Sequence, residues 1–275
     1  MLVATCKAVC WCLPGPVFRL HAWLRHMSGM PRFVVALRVW GAASTRNFTL
    51  SRYQPGSEHV DRMQALIRPY RPSDLGALYQ ICLLTGDDGR DATSLYRDPR
   101  LPGHFFAAPY GLFEPELAFV AEDTTGVGGY ILGALDTRDF EEQLERTWWP
   151  RLRARYPDPP ASLPGEQLTP DQQVAHMIHH PWRIPLGLAA RYPSHLHIDL
   201  LPRLQASGLG RQMTKTLIAV LREQRSAGVH LHVPRGNHKA AGFYRHVGFT
   251  ELPATPDELP APHLLLFGMD LQTRS

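Results

Sequence analysis

Apolar residues recur at steps of three and four in several segments of this 275-residue chain, the spacing that places side chains on one face of a helix. The first of these segments follows Pro72, and the last ends at Gly248. A further helix is predicted over 170–180. Gly228 and Asn237 stand where a helix should end and the next should be capped. The periodic positions are Leu75, Leu78, Tyr79 and Cys82; Phe140, Leu144, Trp148 and Leu152; Leu209, Met213, Leu217, Val220 and Leu221; and Ala240, Ala241, Tyr244 and Val247.

Shorter segments alternate apolar with polar residues or are continuously apolar, as strands do. Two of them are separated only by Thr124–Thr125, which predicts a hairpin. The order of elements is strand and helix, hairpin, a long connection, then strand, helix, strand, helix and a last strand. This order predicts an α/β (α+β) fold with a central mixed sheet flanked by helices, and a helical insertion over about 136–193. The predicted strands cover 65–70, 116–123, 126–135, 194–201, 229–233 and 263–271.

The net charge of +4 comes from one end of the chain. Residues 1–57 hold seven basic residues and no acidic ones, so the remainder is slightly acidic. A basic total of this origin gives no reason to expect nucleic acid as a partner. We interpret 1–62 as a poorly ordered extension, with Met63 as a candidate functional start and 63–275 as the folded domain. No run of about 18 apolar residues exists, so we expect no membrane association.

Cysteine and histidine usage gives no clear metal motif. Three of the four cysteines lie within the first twelve residues at a spacing that matches no common zinc motif, and the fourth, Cys82, lies in a helical pattern. This usage suits a reducing compartment, and we expect a cytoplasmic protein. His176 and His179 are spaced like a metal-binding pair on a helix, but the sequence shows no carboxylate partner. We therefore expect a solvated helix end there and no metal cofactor.

The segment "RLQASGLGRQM", 203–213, starts a predicted helix on two glycines, which are poor helix formers. The first amide groups of a helix have no intrahelical partner and form a site for anions. Gly208 and Gly210 lack the β-carbons that would keep a pyrophosphate away, which is our interpretation of both. A dinucleotide fingerprint would need glycine where Met213 stands, and a P-loop lysine is absent. A tight turn without a ligand is the alternative. Further polar groups at the same place are Gln205, Ser207 and Arg211.

Two blocks, "LLPRLQASGLGRQM" and "NHKAAGFYRHVGF", resemble the acetyl-CoA loop and the following helix of the GCN5-related N-acetyltransferase (GNAT) superfamily. "IRPYRPSDL", "TGDDG", "GYILGALDTRDF" and "YPSHLHIDLLP" are similar to bacterial relatives of the acetyltransferase-like domain of protein O-GlcNAcase. The resemblance covers about 65–275, and it implies the GNAT fold and acetyl-CoA as co-substrate. The matching positions are Gln205, Gly208 and Gly210, then Asn237, Ala240, Phe243, Tyr244, Gly248 and Phe249.

The resemblance also implies roles for individual residues. The main chain of Leu200 and Leu201 should pair with the pantetheine arm, and Asn237 should belong to the cofactor site. Tyr244 matches the tyrosine that protonates the departing thiolate, although a half-buried structural aromatic is the alternative. For the general base the candidates are Asp199 and His197, which share one face of the predicted strand 194–201; polar strand residues satisfied by their neighbours are the alternative. Three further residues are candidates for contact with the acceptor, with polar strand or turn roles as alternatives: Asp87, Asp88 and His195.

These observations predict an acetyl-CoA-dependent N-acetyltransferase whose acceptor is a small-molecule or peptide amine. The alternative is a non-catalytic GNAT-like module that binds and regulates a partner. The insertion contains Trp148, Trp149 and Trp182 among many charged residues. It should either form a wall of the acceptor site or provide the contact of a homodimer.

Overall fold

A computed structural model describes residues 65–160 and 168–272, and all structural statements below concern these residues. They form a seven-stranded sheet in the order β1-β2-β3-β4-β5-β7-β6. All neighbouring strands are antiparallel except β4 and β5, which are parallel, so the predicted mixed sheet is confirmed. The strands are β1 (Leu66–Pro69), β2 (Ala118–Asp123), β3 (Gly126–Ala134), β4 (Ser194–Leu200), β5 (Gly228–Pro234), β6 (Thr250–Leu252) and β7 (Leu264–Asp270).

The helices cover both faces of the sheet. The side chains of α8 and α9 pack into one apolar core, and those of α1 to α6 pack into a second core on the opposite face. Within the described part of the chain, no helix is both long and apolar enough to span a membrane. The helices are α1 (Leu75–Thr85), α2 (Leu101–Phe106), α3 (Ala108–Phe113), α4 (Thr137–Thr147), α5 (Trp149–Arg155), α6 (Pro170–His179), α7 (Leu186–Arg191), α8 (Leu209–Glu223) and α9 (His238–His246).

The alternation along β4 divides its side chains between the two cores. Leu196 and Ile198 pack with α8 and α9. His195 instead contacts the rings of Tyr110 and Phe140, which belong to the core on the other face. The predicted separation of apolar and polar positions along this strand is therefore confirmed, and the polar side of β4 is covered by helices rather than by solvent.

Several predicted elements differ from the structure. The periodic positions Phe140, Leu144, Trp148 and Leu152, expected on one helix, lie in two helices and between them, because α4 ends before Trp148 and α5 begins at Trp149 with Pro150 in its first turn. The prediction that Gly228 ends α8 is wrong. Gly228 lies in β5 opposite Asp270, and a β-carbon there would lie only 2.7 Å from the Arg191 carbonyl oxygen. Arg225 takes the positive φ of 61° after α8 instead. The sequence pattern did not predict α2, α3, α7 or β6, all of which have six residues or fewer.

The strands β4 and β5 pair over a short length and then diverge. Their register pairs only Ser194 with Val229 and His195 with His230. The Ser194 hydroxyl fixes this joined end, since its oxygen lies 2.6 Å from the Leu135 carbonyl oxygen and 2.7 Å from the Ser226 hydroxyl. We call the unpaired remainder, 196–200 of β4 and 231–234 of β5, the β4–β5 opening. It divides an otherwise continuous sheet near its centre.

The predicted extension over 1–62 and the proposed start at Met63 lie outside the described residues.

Candidate active site

Asp199 lies on the polar face of β4 beside the β4–β5 opening. The register places it opposite Tyr130 of β3, whose hydroxyl donates to the Asp199 carboxylate at 2.6 Å. Burial raises the pKa of Asp199 to about 6, against the opposing effect of the hydrogen bond from Tyr130. A carboxyl with this pKa exchanges a proton near neutral pH, as a general base must.

His197 lies two residues before Asp199 on the same face. Its ring packs against Phe106 and Tyr110, with ring centroids 6.3 and 5.2 Å away. Burial, followed by the charge of His232, lowers the pKa of His197 to about 4, so the ring is neutral at pH 7. Neither ring nitrogen of His197 has a hydrogen-bond partner among the described residues. A neutral imidazole in this state can accept a proton.

His195 was predicted to contact the acceptor, and the structure argues against that role. Its Nε2 lies 2.8 Å from the Tyr110 hydroxyl, and its Nδ1 lies 2.8 Å from the Thr137 hydroxyl. Burial lowers the pKa of His195 well below its ordinary value. With both nitrogens engaged by the protein, none remains for a substrate. His195 instead joins α3 and α4 to β4.

Asp87 and Asp88, the other candidate acceptor residues, form a tight turn after α1. Asp87 pairs with Arg90 through a β-bridge and accepts its guanidinium Nε at 3.0 Å. Asp88 has a positive φ of 50°, a conformation that aspartate tolerates better than most residues. These contacts support the turn interpretation. The turn follows Thr85 directly and so lies on the side of Asp199, but the structure brings neither carboxylate into contact with the β4 residues.

The glycine segment forms the predicted loop between β4 and α8. Gly208 has φ +84° and is the N-cap residue of α8, so it supplies a backbone conformation that other residues adopt only with strain. No side chain caps this helix. The same holds for α1, α2, α3, α5 and α7, whereas α4, α6 and α9 each begin with a side chain that accepts from the first turn. The first amides of α8 are therefore available to an anion, as the sequence predicted.

Gly210 serves a different purpose from the one predicted. It is buried, and a β-carbon there would lie 3.2 Å from the Phe243 ring and 3.5 Å from Leu200. The absence of a side chain thus allows α8 to approach α9 and β4 closely, rather than clearing space for a phosphate. A larger side chain at Gly210 would disturb the packing of α8 against α9 and β4. The effect of such a substitution on ligand binding would therefore not test whether the loop binds a phosphate.

The polar side chains of the loop mostly hold the loop itself. Gln205 donates to the Leu200 carbonyl at 2.7 Å and accepts from the Lys239 ammonium at 2.6 Å. The Ser207 hydroxyl donates to the Leu204 carbonyl at 2.7 Å. The structure assigns Gln205 and Ser207 to positioning the loop. Arg211, in the first turn of α8, is exposed and makes no ion pair among the described residues, so its charge is free for a ligand.

The main-chain amide and carbonyl groups of Leu200 point in the opposite direction to those of Leu201. The amide of Leu201 donates to the Gly128 carbonyl at 2.8 Å, and its own carbonyl accepts from Leu204, so its main chain is fully used. The predicted pairing of Leu201 with a cofactor is therefore wrong. Backbone direction alternates along an antiparallel strand, so the groups of Ile198 and Leu200 point away from β3 into the β4–β5 opening. Because Gln205 occupies the Leu200 carbonyl, the Leu200 amide is the donor that remains.

Tyr244 reaches the same region from the opposite face of the sheet. It is buried on α9 against Phe249 and Phe267, and its hydroxyl has no hydrogen-bond partner among the described residues. Burial, together with the charge of Asp199, raises the pKa of the Tyr244 hydroxyl, so it is protonated at neutral pH and able to donate. Asn237 caps α9 by accepting from the Ala240 amide at 3.0 Å, which confirms the predicted cap and uses its carbonyl oxygen.

One contributor to the site was missed in the sequence. Tyr130 holds Asp199, but it stands 69 residues before it in the numbering. Tyr130 belongs to a strand that was predicted, yet only the register shows which residue faces it. Glu114 and Glu141 are two further acidic groups whose pKa burial raises to about 7. No motif marked them, because burial by distant helices is the cause.

Similarity to known proteins was found for a family model, for curated relatives and for a solved structure. The family model described as FR47-like protein matches residues 189–256. Protein O-GlcNAcase from Rattus norvegicus and from Mus musculus is 25% identical over 187 residues, which cover 68% of this chain and 20% of each relative. The chain thus spans about a fifth of those proteins. A crystal structure of SsHAT is 39% identical with a TM-score of 0.67, covering 76% of this chain and 98% of that one.

The matched region contains the residues built up above. Residues 189–256 include β4, the glycine loop, α8, β5 and α9, which are the elements on both sides of the β4–β5 opening. This chain belongs to the GNAT superfamily and is related to the acetyltransferase-like domain of protein O-GlcNAcase.

Proposed function

We propose that this protein transfers the acetyl group of acetyl-CoA to an amine on a small molecule or peptide. The observation that carries the proposal is the convergence at the β4–β5 opening of three features: a helix start without a side-chain cap, a free strand amide, and proton-exchanging groups on both faces of the sheet. Each feature has a separate task in acetyl transfer.

The residues around the opening fit a long ligand with a phosphate end. The uncapped amides at the start of α8, with Arg211 in the same turn, would hold the pyrophosphate. The Leu200 amide and the backbone groups of Ile198 would pair with the extended pantetheine arm, as a neighbouring strand would. Gln205 keeps the loop in place by joining β4 to α9.

Acetyl-CoA supplies an activated acetyl group on a thiol that leaves readily. The protein has to accept one proton and donate another. An amine attacks only when it is neutral, and the Asp199 carboxylate, with a pKa of about 6, is suited to accept the proton it sheds. His197, neutral and without a hydrogen-bond partner among the described residues, lies beside this path. The Tyr244 hydroxyl donates from the opposite face to the departing sulfur.

The arrangement separates the base from the acid. Asp199 and His197 lie on the side of the sheet covered by α1 to α6, and Tyr244 lies on the side covered by α8 and α9. Groups from both faces can approach one ligand where β4 and β5 diverge, which supports the opening as the place of the reaction.

Reversing the charge of Arg211 should weaken the binding of CoA. A charged hydrogen bond contributes about 1.5–3 kcal/mol, so Arg211→Glu should raise the Kd of CoA by roughly 10- to 100-fold, measured by calorimetry. Arg222→Glu is the matched control, since Arg222 is equally exposed at the other end of the same helix. Equal affinity in the two variants would place the phosphates elsewhere.

Binding and turnover should be tested in sequence. Acetyl-CoA at about 100 times its Kd should stabilise the fold by roughly 2.7 kcal/mol, visible as a higher melting temperature. A panel of small amines and peptides with detection of free thiol then tests transfer. Binding with no turnover on any acceptor would favour the alternative, a non-catalytic module; no binding would leave the transferase proposal without support.

A further inference from the structure

Three side chains with metal-ligating atoms meet at the end of the insertion, away from the residues discussed above. His176 and His180 are four residues apart at the end of α6, so their rings project from one side of the helix. Asp158 follows α5 and reaches the same place. The ligating atoms of the three side chains all lie within 4.8 Å of one another.

The sequence prediction for this segment changes in two ways. The relevant pair is His176 and His180 rather than His176 and His179, because the His179 ring turns away and lies 2.8 Å from the Tyr156 carbonyl oxygen. The carboxylate partner that the sequence did not show is Asp158, which stands 18 residues before His176.

The distances suit a metal ion with short bonds. Zinc binds imidazole and carboxylate at about 2.0–2.2 Å in tetrahedral geometry, which places neighbouring ligand atoms about 3.3 Å apart. Asp158 Oδ2 lies 2.7 Å from His180 Nε2, and Asp158 Oδ1 lies 3.7 Å from His176 Nδ1. The two separations bracket the tetrahedral value, and no two ligating atoms of the cluster are more than 4.8 Å apart.

The surroundings hold the two sides of the cluster in register. The contact of His179 with Tyr156 fixes the chain before Asp158 against the end of α6. Arg153 of α5 donates its Nε to the Ile178 carbonyl at 3.0 Å, and Glu145 holds the same guanidinium. These bonds position the ligands before any ion arrives, which lowers the cost of binding.

The charges also favour a cation. A helix C-terminus carries partial negative charge, and both histidines lie in the last turn of α6 or directly after it. The exposed fractions of the Asp158, His176 and His180 side chains are 38%, 52% and 54%, which leaves room for a solvent ligand.

We propose that Asp158, His176 and His180 bind one Zn²⁺ ion or a similar divalent transition metal, with solvent as the fourth ligand. Two imidazole nitrogens and one carboxylate oxygen suit zinc and the metals near it, whereas magnesium and calcium require mostly oxygen ligands. The ion connects the chain after α5 to the end of α6 and so strengthens the insertion; its role is structural.

Calorimetry with zinc chloride tests the proposal on the full chain, free of purification tags and stripped of metal. Wild type should bind one equivalent more than Asp158→Asn, His176→Gln or His180→Gln, or bind it at least roughly tenfold more tightly, since even changes around a metal ligand cost 10–100-fold. His246→Gln is the matched control, an exposed histidine in the last turn of α9, and should match wild type.

A second readout separates this site from the cysteines near the N-terminus. Zinc should raise the melting temperature of wild type and His246→Gln, and should raise it less in the three ligand variants. Cobalt bound by wild type should show the absorption of a nitrogen and oxygen site, without thiolate bands. Zinc binding of equal amount and affinity in wild type and all three ligand variants, or no binding at all, would overturn the proposal.

Discussion

Asp199→Asn should lower kcat by about 10²–10⁴, the contribution typical of a general base. The substitution keeps the shape of the side chain, and its amide oxygen can still accept from Tyr130, which now donates to Asp199 at 2.6 Å. What is lost is a carboxylate whose pKa, raised to about 6 by burial, suits proton transfer near neutral pH. Steady-state kinetics with saturating acetyl-CoA measures the effect. Asp257→Asn, at an exposed site, is the control.

The pH dependence identifies the group. In wild type, kcat should rise as pH passes through about 6 and the Asp199 carboxyl loses its proton, and this limb should vanish in Asp199→Asn. An acceptor amine whose own pKa is far from 6 keeps the two ionisations apart. An unchanged limb in the variant would transfer the base role to another group, with His197→Gln as the next test.

The stability of Asp199→Asn relative to wild type should increase as the pH rises. Burial raises the pKa of Asp199 from 3.8 to about 6, so ionisation of this group opposes folding as pH rises through that interval. Asparagine does not ionise. The melting temperature of Asp199→Asn relative to wild type should therefore be higher at pH 8 than at pH 4.

Tyr244→Phe should lower kcat by roughly 10²-fold, at the lower end of the range for lost proton transfer, because a thiolate leaves readily and water can replace the hydroxyl. Affinity for acetyl-CoA should change little. The ring keeps its packing against Phe249 and Phe267, and the hydroxyl has no partner to lose among the described residues.

Tyr70→Phe provides the comparison for this variant. Tyr70 is also buried, its hydroxyl also makes no hydrogen bond within the described residues, and it belongs to the core on the opposite face. Both variants should melt close to wild type, but only Tyr244→Phe should turn over slowly. Similar kcat values for the two would assign Tyr244 to packing and leave protonation of the thiolate to solvent.

The sequence predicted most of the sheet because its strands show clear alternation. The strand 194–201 illustrates how far this goes: Leu196 and Ile198 pack on one face, and His195, His197 and Asp199 turn to the other. Short helices such as α2 and α7 escaped because six residues are too few to show a helical period. Their positions depend on packing against distant parts of the chain.

The sequence indicated the kind of candidate site better than it indicated the role of each residue in it. Strand alternation indicated Asp199, the start of a helix on two glycines indicated Gly208 and Gly210, and the resemblance to the GNAT superfamily indicated Tyr244, but none of these could show how each residue is used. Gly208 takes a positive φ, whereas Gly210 makes room for Phe243, and the sequence alone does not distinguish these two roles of glycine. Leu200 and Leu201 differ only in the direction of the backbone, which depends on the register with β3.

The short pairing between β4 and β5 leaves an unprotected strand edge in the interior of this protein. Sheet edges with free amides and carbonyls pair with any extended chain that reaches them, and most proteins protect such edges by shortening, charging or covering them. The proposed function gives the edge at Ile198 and Leu200 a use, because a ligand would complete the ladder there. A bound cofactor would then act as the missing strand and would protect this edge from pairing with another extended chain.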